Sequence, residues 1–507
     1  MRLDDLTVPT VVVAAPAGHG KTHEAVAVAG RVAAILPAGR EVLFLAHTNA
    51  AVDEAARRAR EVSVPMRCRT FDAFTAELVR PYAAALGLPA PLRVGTGGVR
   101  FEEVANAAAS LLMRSPAIAA ATGGHFPLII ADEHQDTRAA HHDVLLGLQR
   151  HGGSALRLFG DGMQAIYRFD DAQLVDWDAL AAQGESVSLD TPHRWEEVPE
   201  LGLWLRDLRE ALRDGREVGW DAAPDCVKLV PVQGRAPHGN SLGMPTYTAL
   251  RGALNSIPAD HTVSLLAWRN KTISIVQRAL RSQVVLNEGA AVDVAREALL
   301  GVLGVVGSAA AMARVAVDLL ARLSVGCNAN IRGMLDACLE DDGLNIGRRQ
   351  SVAHLADVFR PLYERPDLST WSECLGRLCD AVTAGGAITI HRVEPFHLLA
   401  ALQVPPDQDP VDAYEAAARS RRRPPARHIA STIHSAKGLA FDHVIVTHAG
   451  TADFPDTIDG RRLLYTALTR ARRSITILVP DVAPSPLLWR GAPRELARSR
   501  PEQMSLL

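Results

Sequence analysis

Residues Thr10–Thr22 read TVVVAAPAGHGKT. The β-branched run Thr10–Ala15 predicts a buried strand. Pro16-Ala17-Gly18-His19-Gly20 predicts a tight turn, and Lys21-Thr22 open an amphipathic stretch that reaches Leu36. Strand, glycine-bearing loop and helix form the context that a phosphate-binding loop requires. Backbone N–H groups and the helix N-terminus cradle phosphate oxygens there. Lys21 neutralises the β- and γ-phosphates, and the Thr22 hydroxyl binds Mg²⁺. The expected nucleotide cradle is therefore Ala17, Gly18, His19, Gly20, Lys21 and Thr22, with Ala15 where the strict pattern has glycine.

Leu128-Ile129-Ile130-Ala131-Asp132-Glu133 is the second element, an apolar strand ending in two carboxylates. Asp132 is expected to hold Mg²⁺ together with Thr22. Glu133 is expected to orient and deprotonate an attacking water.

Outward from these motifs, Val42–Ala46, Pro127–Ala131 and Leu156–Gly160 read as further buried strands. Ala50–Arg60 and Thr137–Arg150 read as helices. Such alternation predicts a parallel sheet covered on both faces. An Ala-rich stretch, Phe74–Ala121, interrupts it as a helical insertion. A second α/β pattern starts near Ser186 and includes Val263–Trp268 and a helix from Asn270 to Arg281. It gives way to helical periodicity over about 285–385, and returns at His428–His434, His443–His448 and Ser474–Val479. The basic segment Arg419–Arg427 marks the return. Its arginines have two readings, DNA-phosphate contacts or a solvated linker.

Composition bounds the class. The chain has 507 residues, 48% hydrophobic and 22% charged, which suits a globular, soluble protein of several domains. A net charge of -3 excludes a strongly basic coat protein, but a local basic groove needs no net charge. The six cysteines show no C-x-x-C pair, so they read as reduced core thiols of a cytoplasmic protein. No signal peptide is visible. The most apolar stretch, Ala298–Ala313, is shorter than the roughly 18–20 residues of a membrane span and reads as one buried helix.

Asp132-Glu133-His134-Gln135-Asp136-Thr137 resembles the D-E-x-Q-D-T of the UvrD/PcrA/Rep-like superfamily 1 DNA helicases. Gly160-Asp161-Gly162-Met163-Gln164-Ala165-Ile166-Tyr167-Arg168-Phe169 resembles their G-D-x-x-Q-x-I-Y-x-[FW]. Ala46-His47-Thr48-Asn49 is similar to T-F-T-N, and Thr70-Phe71-Asp72-Ala73-Phe74 to T-F-H-x-F. Leu189–Arg194 resembles the segment ending in N-Y-R, and Trp268-Arg269-Asn270 the R-N element. Thr432–Phe441 (TIHSAKGLAF) resembles T-x-H-S-A-K-G-L-E-F, and Leu464–Ala471 (LYTALTRA) resembles Y-V-A-x-T-R-A.

The resemblance implies two RecA-like parallel-sheet lobes, each with a mainly helical insertion. The expected first lobe is 1–72 and 125–198 with an insertion at 73–124. The expected second lobe is 199–284 and 426–490 with an insertion at 285–425, followed by a tail, 491–507. It also implies ATP and Mg²⁺ between the lobes, and single-stranded and duplex DNA as partners. Lys21, Glu133, Gln164, Arg194 and Arg470 carry catalysis, with Gln164 and Arg194 at the γ-phosphate and Arg470 as an arginine finger. His193 and Gly438 join the nucleotide contacts. His47, Thr48, Asn49, Phe71, Tyr167, Phe169 and His434 face DNA, where ring stacking contributes about 1–3 kcal/mol per base.

Departures from the family pattern concern base and sugar. No Q motif precedes the phosphate loop, Ala440 replaces the ribose-contacting glutamate, and His193 replaces the base-stacking tyrosine. Relaxed selectivity among nucleoside triphosphates is the expectation. The tail ends Gln503-Met504-Ser505-Leu506-Leu507, which resembles a sliding-clamp-binding peptide through Gln503, Leu506 and Leu507. A nuclease domain after the last motif is not expected. Three readings stay open: a 3′→5′ translocase and helicase, the ATPase subunit of a nuclease-coupled anti-phage complex of the Gabija type, and a nucleotide-controlled DNA or clamp switch.

Overall fold

The computed structural model describes residues 3–90, 92, 94, 99–166, 174–234, 242–280, 284–286, 288–385, 388–390, 394–402, 410–411, 413–414, 417 and 427–489. They form two compact units. One comprises Met1–Leu92, Phe101–Leu286 and Ala426–Leu507, and the other Arg93–Arg100 and Asn287–Pro425.

The first unit holds two six-stranded, all-parallel sheets. The first contains β1 (Thr10–Ala14), β2 (Val42–Ala46), β3 (Met66–Thr70), β4 (Leu128–Ala131), β5 (Ala155–Gly160) and β6 (Glu185–Ser188), in the order β3-β2-β4-β5-β1-β6. The central strands VLFLA and LIIA are buried at every position. That pattern requires helices on both faces of the sheet. The edge strands look different. In β3 (MRCRT) only Cys68 is buried, while Arg67 pairs with Glu41 at 3.2 Å and Arg69 with Glu77 at 2.8 Å. Charged side chains at a sheet edge discourage pairing with another chain.

Strand β6 corrects one expectation. Ser186 pairs with Val12 and belongs to the first sheet. The second sheet starts later, with β7 (Val227–Val232), β8 (Val263–Ala267), β9 (Val285–Leu286), β10 (His428–Thr432), β11 (Phe441–Val446) and β12 (Ala471–Pro480), in the order β7-β12-β11-β8-β10-β9.

Helices Phe101–Arg114 and Pro116–His125 pack on helix Ala139–Gly152 within the same compact unit. Glycine makes that approach possible. A Cβ on Gly123 would lie 2.5 Å from the Gly152 Cα.

The second unit is mainly helical, around a core that includes Trp371, Phe359, Phe396 and Tyr414. The Trp371 indole N–H donates to the Met312 carbonyl at 2.9 Å. The single helix expected over Ala298–Ala313 is two helices, Glu288–Leu303 and Ala309–Leu323. Gly307, at φ 98°, breaks the run, and the Ser308 hydroxyl caps the second helix by accepting from the Ala311 N–H. Among the described residues, no helix is long and apolar enough to cross a membrane.

Candidate functional site

Strands β1, β4 and β5 all release their carboxyl ends on one edge of the first sheet, where open α/β sheets bind ligands. Gly18 and Gly20 follow β1 at φ 73° and 75°, and Lys21 is the first residue of helix Lys21–Ala33. No side chain caps that helix, so its first N–H groups stay directed at the loop. Glycine is required twice over. A Cβ on Gly18 would meet the Arg194 Cβ at 2.7 Å, and one on Gly20 would meet the His193 ring at 2.9 Å. The His193 and Arg194 N–H groups both donate to the Gly18 carbonyl, at 2.9 and 3.1 Å. His193 therefore sits against the loop, its ring bonded to Glu196 at 3.0 Å. The His19 ring lies 2.8 Å from the Ala17 carbonyl, and Thr22, second in the helix, is partly buried.

The Lys21 ammonium is buried, donates to the Ala15 carbonyl at 3.1 Å and lies 3.6 Å from Glu133. Glu133 adopts φ 50°, the left-handed region that costs a non-glycine residue roughly 1–2 kcal/mol. Its N–H is held by the Asp132 carboxylate at 2.9 Å, and its carboxylate accepts from the Gln135 side chain at 2.6 Å. Burial works against charge on Glu133, but Lys21 and Lys437 outweigh it and hold the carboxyl well below the usual range. Burial and the Glu133 charge push Asp132 the other way, up to about 6.

The second lobe supplies the remaining charges. Lys437 follows β10 and reaches across to bond Asp136, donate to the Gln164 carbonyl at 2.6 Å and lie 3.7 Å from Glu133. Arg470, in the turn that leads into β12, donates to the Gln164 side chain at 2.8 Å and to the Thr466 carbonyl at 3.0 Å. Gln164 in turn donates to Asp161 at 3.0 Å. Arg209 grips Asp161 at 2.7 and 3.2 Å, offsetting the burial that opposes its charge. Arg194 bonds the Thr469 carbonyl. Burial, with Arg470 nearby, lowers it to about 9. The lobes also meet where the Ala17 N–H donates to the Tyr465 hydroxyl at 3.3 Å and the Trp195 indole to the Ala471 carbonyl at 2.8 Å. Lys21, Glu133, Gln164, Arg194 and Arg470 thus converge on one interlobe cluster. Gly438, at φ 84°, is exposed beside it.

Sequence reasoning assigned no role to Lys437, Asp136 or Arg209. The rarity of lysine, with Lys437 inside the T-x-H-S-A-K-G segment, was a signal for the first. Arg209 lies in helix Pro199–Arg213 outside any motif and carried none.

The strand-facing candidates divide. His47 is partly exposed and stacks on Phe71 at 4.8 Å. Phe71 itself is 2% exposed, so it backs His47 from beneath. The Thr48 hydroxyl caps helix Asn49–Glu61, accepting from the Ala51 N–H at 3.2 Å. His434 lies 3.3 Å from the Ile166 carbonyl. Tyr167, Phe169, Arg419, Arg421, Arg422, Arg423, Gln503, Leu506 and Leu507 lie outside the described residues. Arg427 is described, and it donates to the Ala259 carbonyl at 2.9 Å.

Residues 96–180 match the UvrD/REP helicase N-terminal domain, and residues 428–478 match the UvrD-like helicase C-terminal domain. The first match spans the Asp132–Thr137 turn and Gln164, and the second spans Lys437 and Arg470. No curated protein is a significant match to the chain.

Proposed function

We propose that this chain, a UvrD-like helicase, is an ATP-driven motor that translocates 3′→5′ on single-stranded DNA and separates duplexes. The observation that carries the reading is the Arg470–Gln164 bond. It joins the two lobes beside the carboxylate that faces Lys21.

The residues fit a magnesium-bound nucleoside triphosphate. The loop has two left-handed glycines, a helix N-terminus without a side-chain cap and a buried lysine, and the oxygen donors Thr22 and Asp132 suit Mg²⁺. When bound, Mg²⁺ neutralises charge on the β- and γ-phosphates. Lys21 exchanges its contacts with Ala15 and Glu133 for phosphate oxygens. Glu133, kept ionised by Lys21 and Lys437, accepts a proton from the attacking water. Gln164 orients that water, while Arg194 and Arg470 supply fixed positive charge where charge develops on the transferring group. Closure of the lobes depends on the second-lobe contacts to Gln164 and Asp136, so nucleotide state and lobe spacing are linked. His47, with Thr48 and Asn49 beside it, meets the strand.

The test is ATP hydrolysis with and without single-stranded DNA by wild type and Lys21→Ala. Stimulation that the substitution abolishes is expected. Turnover indifferent to DNA in the wild type would remove the proposal.

A further inference from the structure

Behind Glu133 lies a run of histidines that the ATPase chemistry does not use. His134 and Thr137 are both 0% exposed. The His134 Nε2 stands 3.0 Å from the His142 Nδ1, its Nδ1 stands 3.0 Å from the Thr137 hydroxyl, and that hydroxyl stands 3.1 Å from the His47 Nε2. His47 and His142, the two ends, are partly exposed. Phe71 packs against this group, its ring 4.8 Å from His47 and 6.4 Å from His134, and His141 lies 3.3 Å from Asp72 beside it.

Proton counting restricts this chain. Thr137 has one hydroxyl proton, and a neutral imidazole has one N–H. The 3.0 Å approach of the His134 Nε2 to the His142 Nδ1 requires an unprotonated acceptor at one of the two, and full burial of His134 favours its neutral ring. Three hydrogen bonds then need three protons, and because the Thr137 hydroxyl is fully buried with no other acceptor beside it among the described residues, its own proton must be one of them, which leaves two arrangements. In one, the His47 Nε2–H donates to Thr137, Thr137 donates to His134, and the His134 Nε2–H donates to His142. In the other, every donor and acceptor is reversed. Which ring nitrogen of His47 carries the proton therefore selects the tautomer of His134, with exchange through solvent at the two end rings.

His134 opens the 3₁₀ turn His134–Asp136 that carries Gln135, and it directly follows Glu133. The Asp136 N–H closes that turn on the Glu133 carbonyl at 3.0 Å. We propose that Thr137 is a positioning residue whose hydroxyl couples His47, at the strand-facing surface, to His134 and the catalytic turn, so that a bound strand raises nucleotide turnover through this hydrogen-bonded chain. The inference rests on the motor reading above.

Thr137→Val removes the hydroxyl and keeps the shape, while Thr137→Ser keeps the hydroxyl. ATP hydrolysis is measured with and without a single-stranded oligonucleotide, alongside oligonucleotide affinity and melting temperature. In Thr137→Val the ratio of DNA-stimulated to basal kcat falls about tenfold, the factor that one ordinary hydrogen bond carries. Basal kcat, KM for ATP and oligonucleotide affinity stay unchanged, and Thr137→Ser restores the ratio. Wild-type stimulation in Thr137→Val overturns the inference and leaves the motor reading standing. So does a Thr137→Ser defect equal to that of Thr137→Val, or an equal fall in basal and stimulated rates. A wild type without stimulation overturns both.

Discussion

Replacing Glu133 with glutamine changes one charge and almost no volume. The Gln135 side chain lies 2.6 Å away and remains within bonding reach of the new amide. The carboxylate proposed to accept the proton of the attacking water is lost. A positioned general base contributes roughly 10²–10⁴ in rate, so kcat falls by that factor, about 2.7–5.5 kcal/mol of barrier. Binding moves the opposite way. At 3.6 Å, Glu133 attracts Lys21 by about 4–5 kcal/mol with an effective dielectric of about 20, before desolvation is subtracted. If about a third of that is net, freeing Lys21 for phosphate tightens nucleotide binding roughly tenfold. The pH dependence shifts as well. Burial and then Glu133 hold Asp132 up at about 6 in the nucleotide-free protein, so Mg²⁺ binding there must displace a proton once the pH falls through about 6, and nucleotide affinity weakens with acid. Without the like charge, that weakening moves to lower pH. Single-turnover hydrolysis and titration with a fluorescent triphosphate at two pH values read all three effects. Hydrolysis within a factor of about ten of wild type would refute the assignment of Glu133 as base.

Other expectations follow from the same geometry. With His193 against the loop and Ala440 where the family pattern has glutamate, hydrolysis of the four common ribonucleoside triphosphates should proceed with kcat/KM values within about tenfold of one another; strict ATP preference in a nucleotide panel contradicts this. Lys437→Met leaves buried Asp136 without its cation, a change that typically costs about 3–5 kcal/mol, and adding Asp136→Asn recovers part of it. Denaturant unfolding checks both, and a single variant as stable as wild type contradicts the reading. Stability should also fall with acid. His47 is held to about 3 by burial and His141, His443 to about 4 by burial and His261, and His134 is displaced the same way. Their folded values lie below the unfolded value of about 6.5, so the unfolded chain takes up protons that the folded chain refuses. Stability present above that pH is lost as the pH falls through it. Asp132 and Asp136, raised to about 6, oppose this only once the pH drops through about 6. A lower melting temperature at about pH 5.5 than at 7.5 is expected, and a higher one would show that the carboxylates dominate.

The central parallel strands and the phosphate loop were legible because their signals are local. LIIADE announces a buried strand with a charged end, and TVVVAAPAGHGKT announces a strand that opens into a helix. Edge strands were not legible, since MRCRT and ESVS bury too little for an apolar run and owe their strand state to a neighbour. The break at Gly307 was written in Gly304, Gly307 and Ser308, but an Ala-rich context hid it. Phe71 shows a different limit. Its motif resembles a strand-contact element, yet its place beneath His47 comes from packing. The reach of Lys437 to Asp136, 301 residues away in sequence, exists only after the two lobes meet.

The shared site between the lobes is tested most directly by Arg470→Lys, assayed for nucleotide affinity and for DNA-stimulated turnover in the same preparation. An ammonium cannot reproduce the guanidinium that bonds Gln164, Thr466 and Leu439. Affinity should stay within a few-fold of wild type while turnover drops by roughly 10³ or more. Turnover within about tenfold of wild type would contradict a site built from both lobes.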